Sequence, residues 1–224
     1  MKIDALLQRN VQDALNYEPT IMAGEIGVIV MDGIVTLTGT VDSYSKKLQA
    51  EKTARRVKGV KAVVEKIQVR LSKSAFKSDL DLAAEIVEAL QGDYSVPRES
   101  ISVKVEDGYV TLEGSVLWDY QRKSAYRNVA RIIGVKGVHN KLSLHSAGKD
   151  VLEKEAVERA ISRHWSLDPN TIFVNVTNNE VSLSGYVDSL YQKDEAERLA
   201  WQAPGVQHVE NHLTVEHKLR AINV

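Results

Sequence analysis

The sequence predicts an α+β protein made of three tandem α-β-β-α-β modules, each a small three-stranded mixed sheet with two helices on one face. Two repeated landmarks support this prediction. A ten-residue segment that begins Asp-Gly at 32–41 recurs at 107–116 and, with more substitutions, at 178–187. A Gly-Val pair follows the glycine of each segment by twenty residues, and both landmarks keep spacings of 75 and 71 residues. Because both landmarks recur at the same two spacings, they indicate an internal repeat.

The first half of each module is predicted by apolar periodicity. Residues at helical spacing come first: Leu7, Val11, Ala14 and Leu15, then Leu82, Ile86, Ala89 and Leu90, then Val157, Ala160 and Ile161. Apolar residues at every second position follow, beginning at Ile26, Ile101 and Ile172, and predict a strand. The Asp-Gly and Asn-Asn dipeptides accept the positive φ of a tight turn, so we expect a hairpin to the second strand.

The second half of each module predicts a helix and a last strand. The helices are expected at about 44–57, 120–132 and 191–203, and the strands carry Val63, Ile67 and Val69 and their counterparts. A strand–helix–strand crossover makes the second and third strands parallel, so each sheet is mixed. The predicted domains are 1–73, 77–146 and 149–217. Because the links at 72–78 and 145–150 are short and polar, we expect the modules to touch.

The repeated motif resembles a known family. It reads Asp-Gly-x-Val-Thr-Leu-x-Gly-x-Val and then Gly-Val-x-x-Val-x-Asn-x-Leu, the latter at 134–142 and 205–213; Glu65 replaces the asparagine in the first copy. These residues resemble the bacterial BON domain, named for an osmotically induced periplasmic protein and nodulation-specificity proteins. The resemblance implies a non-enzymatic module that binds anionic phospholipid, with roles in the cell envelope, osmotic stress and transport.

Composition excludes several classes of protein. With 43% hydrophobic and 26% charged residues the chain is not disordered, and without Cys it has neither disulfides nor thiolate metal sites. Its longest apolar stretch, 26–31, is far below the roughly 20 residues of a membrane span. No apolar segment of the signal-peptide type follows Met1, which favours the cytoplasm. Because BON proteins are often exported, the periplasm or cell envelope is the alternative.

The motif residues are interpreted as structural. Gly39, Gly114 and Gly185 are in phase with inward-facing residues, so we expect close packing against small residues of the second helix. The second landmark contributes Gly59, Gly134 and Gly205. Asn140 and Asn211 also lie in phase with inward residues, and each should hydrogen-bond to a free backbone group.

No catalytic pattern accompanies the repeat. The sequence has no nucleotide loop, no nucleophile elbow and no recurring acid–base pair, so we expect no enzyme and no cofactor. His208, Glu210 and His212 share one face of the last strand, and with His217 or a neighbouring chain this set would hold a divalent ion. The more ordinary interpretation is a solvated strand face, so no metal is expected and His208 and His212 remain a weak candidate.

Charge is unevenly distributed along the chain. The 29 Lys and Arg nearly balance the 30 Asp and Glu, which argues against a nucleic-acid partner for the whole chain. Residues 1–74, however, carry a net charge of +4, residues 75–148 carry −1 and residues 149–224 carry −4. The chain is therefore strongly dipolar along its sequence.

Two groups of residues are the candidate contacts with lipid or a partner. The first is the basic second helix of module one, with Lys46, Lys47, Lys52, Arg55, Arg56 and Lys58; the second is Trp118, Tyr120, Arg122 and Lys123, followed by Arg127 and Arg131. Basic and aromatic residues suit an anionic membrane surface. The aromatic group also suits a protein interface or packing between modules, and the basic helix an ordinary solvated face.

Self-association is the alternative function. The basic helix complements an acidic third module that includes Glu153, Glu155, Glu158, Asp194, Glu195 and Glu197. If that module belongs to another copy, the contact is head-to-tail and builds rings or filaments. Exposed strand edges offer a second route to a homo-oligomeric scaffold or pore-like assembly.

Overall fold

The computed structural model describes residues 2–22, 24–144 and 154–216, and it confirms the predicted α+β modules. The first module contains α1 (Lys2–Asn16), β1 (Ile26–Met31), β2 (Ile34–Val41), α2 (Tyr44–Arg56) and β3 (Ala62–Val69). The second contains α3 (Asp79–Gln91), β4 (Ile101–Glu106), β5 (Tyr109–Val116), α4 (Asp119–Ala130) and β6 (Gly137–Leu144). The third contains α5 (Lys154–Ser162), β7 (Ile172–Thr177), β8 (Glu180–Val187), α6 (Leu190–Ala200), β9 (His208–Asn211) and β10 (Thr214–Val215).

Each sheet is small and has the hairpin's second strand at its centre. The orders are β1-β2-β3 and β4-β5-β6, and in the third module β8 lies between β7 and the β9 and β10 segments. In the second and third modules the hairpin is antiparallel and the last strand is parallel to the central one. These are the mixed sheets that a right-handed crossover predicts.

The last strand of the third module differs from the prediction because it is interrupted. His208 pairs with Glu180 and Thr214 pairs with Tyr186, so β9 and β10 keep one register against β8. Between them the His212 N–H donates to the Leu183 carbonyl at 2.8 Å. The two segments are therefore one strand with a local break in regular pairing.

The described residues form two compact units whose bounds do not follow the modules. One contains residues 1–38 and 50–66 with the third module, and the other contains residues 39–49 with the second module. The third module has its own core, which includes Val157, Ile161, Val181, Leu183 and Leu213. The core of the second includes Leu82, Ile86, Val110, Leu112 and Val129.

The hairpin turns have the predicted backbone geometry. Asp32, Asp107 and Asn178 have φ angles of 53°, 52° and 48°. Asp and Asn tolerate this left-handed region better than most residues, because their short polar side chains can bond locally. The repeated dipeptides therefore fix where each chain reversal occurs.

The explanation predicted for the strand glycines, close packing against the second helix, is wrong at Gly114 and Gly185. Gly114 has a φ of +130°, and a Cβ atom there would lie 2.0 Å from the Ser100 carbonyl oxygen. A Cβ atom on Gly185 would lie 2.1 Å from the Thr171 carbonyl oxygen. The crowding comes from the backbone at the start of the neighbouring strand and not from the second helix. These glycines therefore permit a close backbone approach at a left-handed position.

The link at 72–78 contains a short 3₁₀ helix, Lys73–Ala75. The second predicted link, at 145–150, lies outside the described residues, and so do Glu153 and His217.

Candidate functional site

The basic end of α2 contacts α6 of the third module. Arg55 donates two hydrogen bonds to the Asp194 carboxylate, from Nε at 2.9 Å and from an Nη atom at 2.6 Å. This two-bond geometry is the strongest form of a guanidinium–carboxylate contact. The hydrogen bonds to Asp194 raise the pKa of Arg55 above its ordinary value. Arg55 is thus tied to one acidic partner in its own chain.

Two neighbours of Arg55 add to this contact. Lys58 Nζ lies 3.4 Å from an Asp188 carboxylate oxygen. The Arg56 guanidinium carbon lies 5.7 Å from the centre of the Tyr191 ring, within the range of a cation–π interaction. The acidic partner that the sequence analysis sought in another copy is thus present in the same chain.

The other lysines of the basic group divide into two kinds. Lys46 Nζ pairs with Asp42 at 2.9 Å, and Lys47 Nζ donates to the Ile67 carbonyl at 3.0 Å. Lys52 is exposed. Most of the basic group is thus already engaged, and only part of it is open to a ligand.

The start of α2 contacts one side of α4. The hydroxyl groups of Tyr44 and Tyr126 lie 3.0 Å apart, and Ser45 Oγ donates to the Ala130 carbonyl at 3.0 Å. Tyr126 and Ala130 are four residues apart, so they lie on one side of the helix. This side of α4 is occupied by the chain itself.

Another side of α4 is open, and we call it the α4 surface: Trp118, Tyr120, Arg127 and Arg131. All four residues are exposed. Tyr120, Arg127 and Arg131 are separated by seven and four residues, so they form one stripe along the helix. Neither arginine side chain has an ion-pair or hydrogen-bond partner among the described residues. Tyr120 therefore lies in line with two arginine side chains that have no partner among the described residues, and exposed Trp118 precedes this stripe at the start of the helix.

Arg122 and Lys123, predicted as part of the same site, are held by a carboxylate. Asp119 is buried and accepts from Arg122 Nε at 3.0 Å, and Lys123 Nζ lies 2.6 Å from its other oxygen. Gln121 Oε1 accepts the backbone N–H groups of Leu117 and Trp118 at 3.0 and 3.1 Å. These contacts fix the start of α4 and so hold Trp118 in place.

Tyr94 is an exposed residue that the sequence analysis missed. It is fully exposed and follows Asp93, whose Oδ2 accepts hydrogen bonds from Ser124 and Asn128 of α4, both at 2.8 Å. These bonds hold the backbone just before Tyr94 against α4. Trp165 is the exposed residue at the matching position of the third module, 71 residues later. That shared position was the signal available in the sequence.

The asparagines of the last strands bond to the second helix. Asn140 Nδ2 donates to the Arg122 carbonyl at 3.2 Å, and Asn211 Nδ2 donates to the Lys193 carbonyl at 2.9 Å. Each Oδ1 accepts the backbone N–H two residues later, at 3.2 Å. Both residues therefore join a helix to its strand.

The histidines considered for metal binding lie on an exposed strand face. His212 Nε2 is 3.2 Å from Glu210 Oε2, and His208 is also exposed. Within the described ranges no three His, Asp or Glu side chains are grouped so as to hold an ion. His217, the proposed further ligand, lies outside those ranges.

The third module brings together a serine, a histidine and a glutamate. His164 Nδ1 lies 3.0 Å from Ser166 Oγ, and His164 Nε2 lies 2.9 Å from Glu195 Oε1. Arg198 also binds Glu195, and its hydrogen bonds are the main cause of the lowered pKa of that carboxyl. The sequence alone predicts Glu195 only as part of an acidic surface.

Comparison with known proteins identifies the repeated module. The BON domain matches residues 3–70, 78–145 and 150–217. Osmotically-inducible protein Y of Escherichia coli K12 is 32% identical over 143 residues, which is 62% of this chain and 71% of that protein. A protein encoded in the gshII 5′ region of Anaplasma centrale is 33% identical over 116 residues, covering 50% of this chain and 77% of that protein.

Two solved structures of CdsD, a structural protein of the type III secretion system of Chlamydia trachomatis, align with 95% and 93% of this chain at 18% and 15% identity. The alignments cover 93% and 96% of those two chains, with TM-scores of 0.25 and 0.24.

Among the described helices, none has the length and apolar character needed to cross a bilayer. The three domain matches together span nearly the whole sequence, and the protein belongs to the BON domain family.

Proposed function

We propose that this BON-domain protein is a non-enzymatic binding protein that attaches to anionic phospholipid at the cell envelope through the α4 surface. The observation that carries the proposal is that α4 and its first flanking residue present exposed Trp118 and Tyr120 together with Arg127 and Arg131, whose side chains have no partner in the described part of the chain. Aromatic rings are favoured at the boundary between headgroups and acyl chains. Arginines beside them attract phosphate groups.

The state of the other basic residues supports this choice of surface. Arg55 and Lys58 already have carboxylate partners in Asp194 and Asp188. Binding lipid through them would first require those pairs to separate. Arg127 and Arg131 carry no such cost, so the α4 surface is the better membrane contact.

The role in osmotic stress rests on similarity alone. The Escherichia coli relative is named as osmotically inducible. We propose that this chain shares that context, and that its lipid contact serves envelope maintenance rather than chemistry.

Vesicle flotation tests the lipid contact. We expect the full chain to float with vesicles of phosphatidylcholine and phosphatidylglycerol, and to remain unbound with phosphatidylcholine alone. The double variant Arg127→Ala/Arg131→Ala should lose about 2 kcal/mol, since a basic residue near such a surface contributes about 1 kcal/mol. That loss corresponds to roughly 30-fold weaker binding. Absence of binding to both vesicles would refute the proposal.

A matched control separates this surface from total charge. Lys104 and Lys141 lie exposed on the sheet of the same module. The variant Lys104→Ala/Lys141→Ala removes the same charge and should bind nearly as well as the wild type. If both double variants lose binding equally, the contact is non-specific and the α4 surface is not the site.

Tryptophan fluorescence gives a second readout. The variant Trp165→Phe/Trp201→Phe leaves Trp118 as the single tryptophan of the three in the chain. On adding anionic vesicles we expect its emission to shift to shorter wavelength, because the ring leaves water. An unchanged spectrum with bound protein would place the contact elsewhere.

A further inference from the structure

The first module has an apolar patch on the sheet face that its helices leave uncovered. Ile29 and Met31 of β1 are 61% and 69% exposed, and Ile34 of β2 and Val64 of β3 are 40% and 39% exposed. We call these four residues the β1 patch. Their neighbours Ile26 and Val28 alternate with them and are buried on the helix side. The patch is therefore additional to the core of the module.

The second module provides an internal comparison for the same positions. Adding 75 to the residue numbers gives Lys104, Glu106, Tyr109 and His139. Lys104 and Glu106 are exposed and form an ion pair at 3.0 Å. The fold thus accepts charged residues at the two most exposed positions of the patch, and it does not itself require apolar side chains there.

The third module has a polar face as well. Its matching residues are Asn175, Thr177, Glu180 and Glu210. The first two are polar and uncharged, and the two glutamates carry a negative charge. Among three copies of one fold, only the first places four apolar side chains at these positions. Exposed apolar patches rimmed by polar residues commonly mark an interaction site.

The edge of the same sheet lacks the usual protection. β1 lies at the edge of the order β1-β2-β3, and its sequence, Ile-Gly-Val-Ile-Val-Met, contains no charge. Natural edge strands are commonly protected from pairing by charged side chains. β4, in the same position of the second module, has Lys104 and Glu106. The unprotected edge lies beside the apolar face.

Charge favours a second copy of this chain as the occupant. A two-fold contact brings the same surface of both copies together, so any charge near the axis meets its own kind. If two copies met through the matching face of the third module, Glu180 and Glu210 of one copy would lie against the same glutamates of the other, and the like charges would repel. The β1 patch has no charge to desolvate or repel, and it is therefore complementary to itself.

The size of the patch indicates the strength of the contact. Its four side chains present on the order of a few hundred Å² of apolar surface. A stable interface buries about 800 Å² on each partner. The contact should therefore form a weak dimer that depends on protein concentration.

We infer that two copies of the chain pair through their first modules, with the β1 patches packed against each other. This contact is apolar, unlike a head-to-tail contact between the basic and acidic ends of the chain. It lies in a different module from the α4 surface and does not depend on lipid binding.

Sedimentation velocity of the full chain over a wide concentration range tests the inference. We expect the mean mass to rise toward that of a dimer as concentration increases, at low and at high salt alike. The variant Ile29→Lys/Met31→Glu transfers the ion pair of the second module into the first. It should weaken the dimer by at least about tenfold, the effect of losing 1.4 kcal/mol.

The reverse exchange is the matched control. Lys104→Ile/Glu106→Met gives the second module an apolar patch and should increase association. Circular dichroism of both variants checks that the modules remain folded. A wild-type monomer at all concentrations would overturn the inference, as would a dimer that Ile29→Lys/Met31→Glu leaves unchanged or that high salt dissociates.

Discussion

His164 Nε2 lies 2.9 Å from Glu195 Oε1, and these two residues occupy the positions that Asp93 and Ser124 hold in the second module, 71 residues earlier. In that module Asp93 Oδ2 accepts a hydrogen bond from Ser124 Oγ at 2.8 Å. The loop after the first helix is thus bonded to the second helix in both modules. The acidic group belongs to the loop in the second module and to the helix in the third.

The serine of each arrangement has a matching position too. Ser95 Oγ donates to Asp93 at 2.6 Å, and Ser166 Oγ lies 3.0 Å from His164 Nδ1. In the first module Thr20 Oγ1 donates to Glu18 at 3.0 Å in the same loop. We call these hydrogen bonds between the loop and the second helix the clasp of each module. A structural role of this kind explains the serine–histidine–glutamate arrangement of the third module, and no nucleophile is needed to account for it.

The clasp of the second module should make its stability depend on pH. Hydrogen bonds from Ser95, Ser124 and Asn128 hold the pKa of Asp93 well below its usual range. A lowered pKa in the folded state contributes stability above the unfolded pKa of about 3.9, and that stability is lost as the pH falls further. Asp93→Asn should cost about 1–3 kcal/mol at pH 7, because the added amide donors face other donors.

Urea unfolding at a series of pH values measures this effect. The difference in stability between wild type and Asp93→Asn should narrow below about pH 4, where the Asp93 carboxyl of the unfolded chain begins to bind a proton while that of the folded chain stays charged. Glu99→Gln, an exposed carboxylate of the same module, is the control and should change little. A constant difference at every pH would show that the charge of Asp93 is unimportant.

Much of the fold could be predicted because its signals are local. The Asp107-Gly108 dipeptide marks a turn, and alternation from Ile101 marks a strand, so the predicted element order and helix bounds agree closely with the structure. The partner of Arg55 could not be predicted from its own helix. Charge pattern indicates that a basic surface exists, but only packing shows that Asp194 lies against it.

The strand glycines and the clasp show two further limits. The position of Gly114 could be read from the repeat, but its reason depends on the Ser100 carbonyl, which approaches from the start of the neighbouring strand. The clasp was missed because its residue types change between modules. His164 and Glu195 share no pattern with Asp93 and Ser124 except their positions.

Substituting Gly114 should be severely destabilising. A Cβ atom would meet the Ser100 oxygen at 2.0 Å, and φ is +130°, which L-residues with side chains rarely adopt. We expect Gly114→Ala to cost about 3 kcal/mol or more by combining backbone strain with overlap. Gly92→Ala is the control, since its nearest neighbour would be 3.7 Å away; it should be neutral or stabilising by up to about 1 kcal/mol. Equal effects in thermal unfolding would contradict the explanation.

The contact between Arg55 and Asp194 should give a measurable coupling energy. Both side chains are partly exposed, so we expect about 0.5–1 kcal/mol from a double-mutant cycle of Arg55→Ala and Asp194→Ala, decreasing at high salt. Lys141 and Glu113 form a more exposed pair with a single contact at 3.2 Å, and their cycle should give less. A coupling no larger than that of the control pair would show that the two-bond geometry adds nothing.

Asp79 should stabilise the hairpin turn of its module, although it lies 28 residues before Asp107 in the sequence. Its two carboxylate oxygens accept the backbone N–H groups of Asp107 and Gly108, at 2.8 and 2.9 Å. Asp4 accepts the N–H of Gly33 in the first module at 3.2 Å, so two modules share the contact. Asp79→Ala leaves both turn amides without this acceptor, and we expect a loss of about 1–3 kcal/mol.

Hydrogen exchange distinguishes this effect from a general loss of stability. In Asp79→Ala the amides of Asp107 and Gly108 should exchange faster under native conditions, while those of the buried strand residue Leu112 change only with global stability. Asp79→Asn keeps one acceptor oxygen and should give an intermediate rate. If the two turn amides accelerate no more than that of Leu112, the carboxylate does not hold the turn. In that case the Asp107-Gly108 dipeptide is sufficient by itself to reverse the chain.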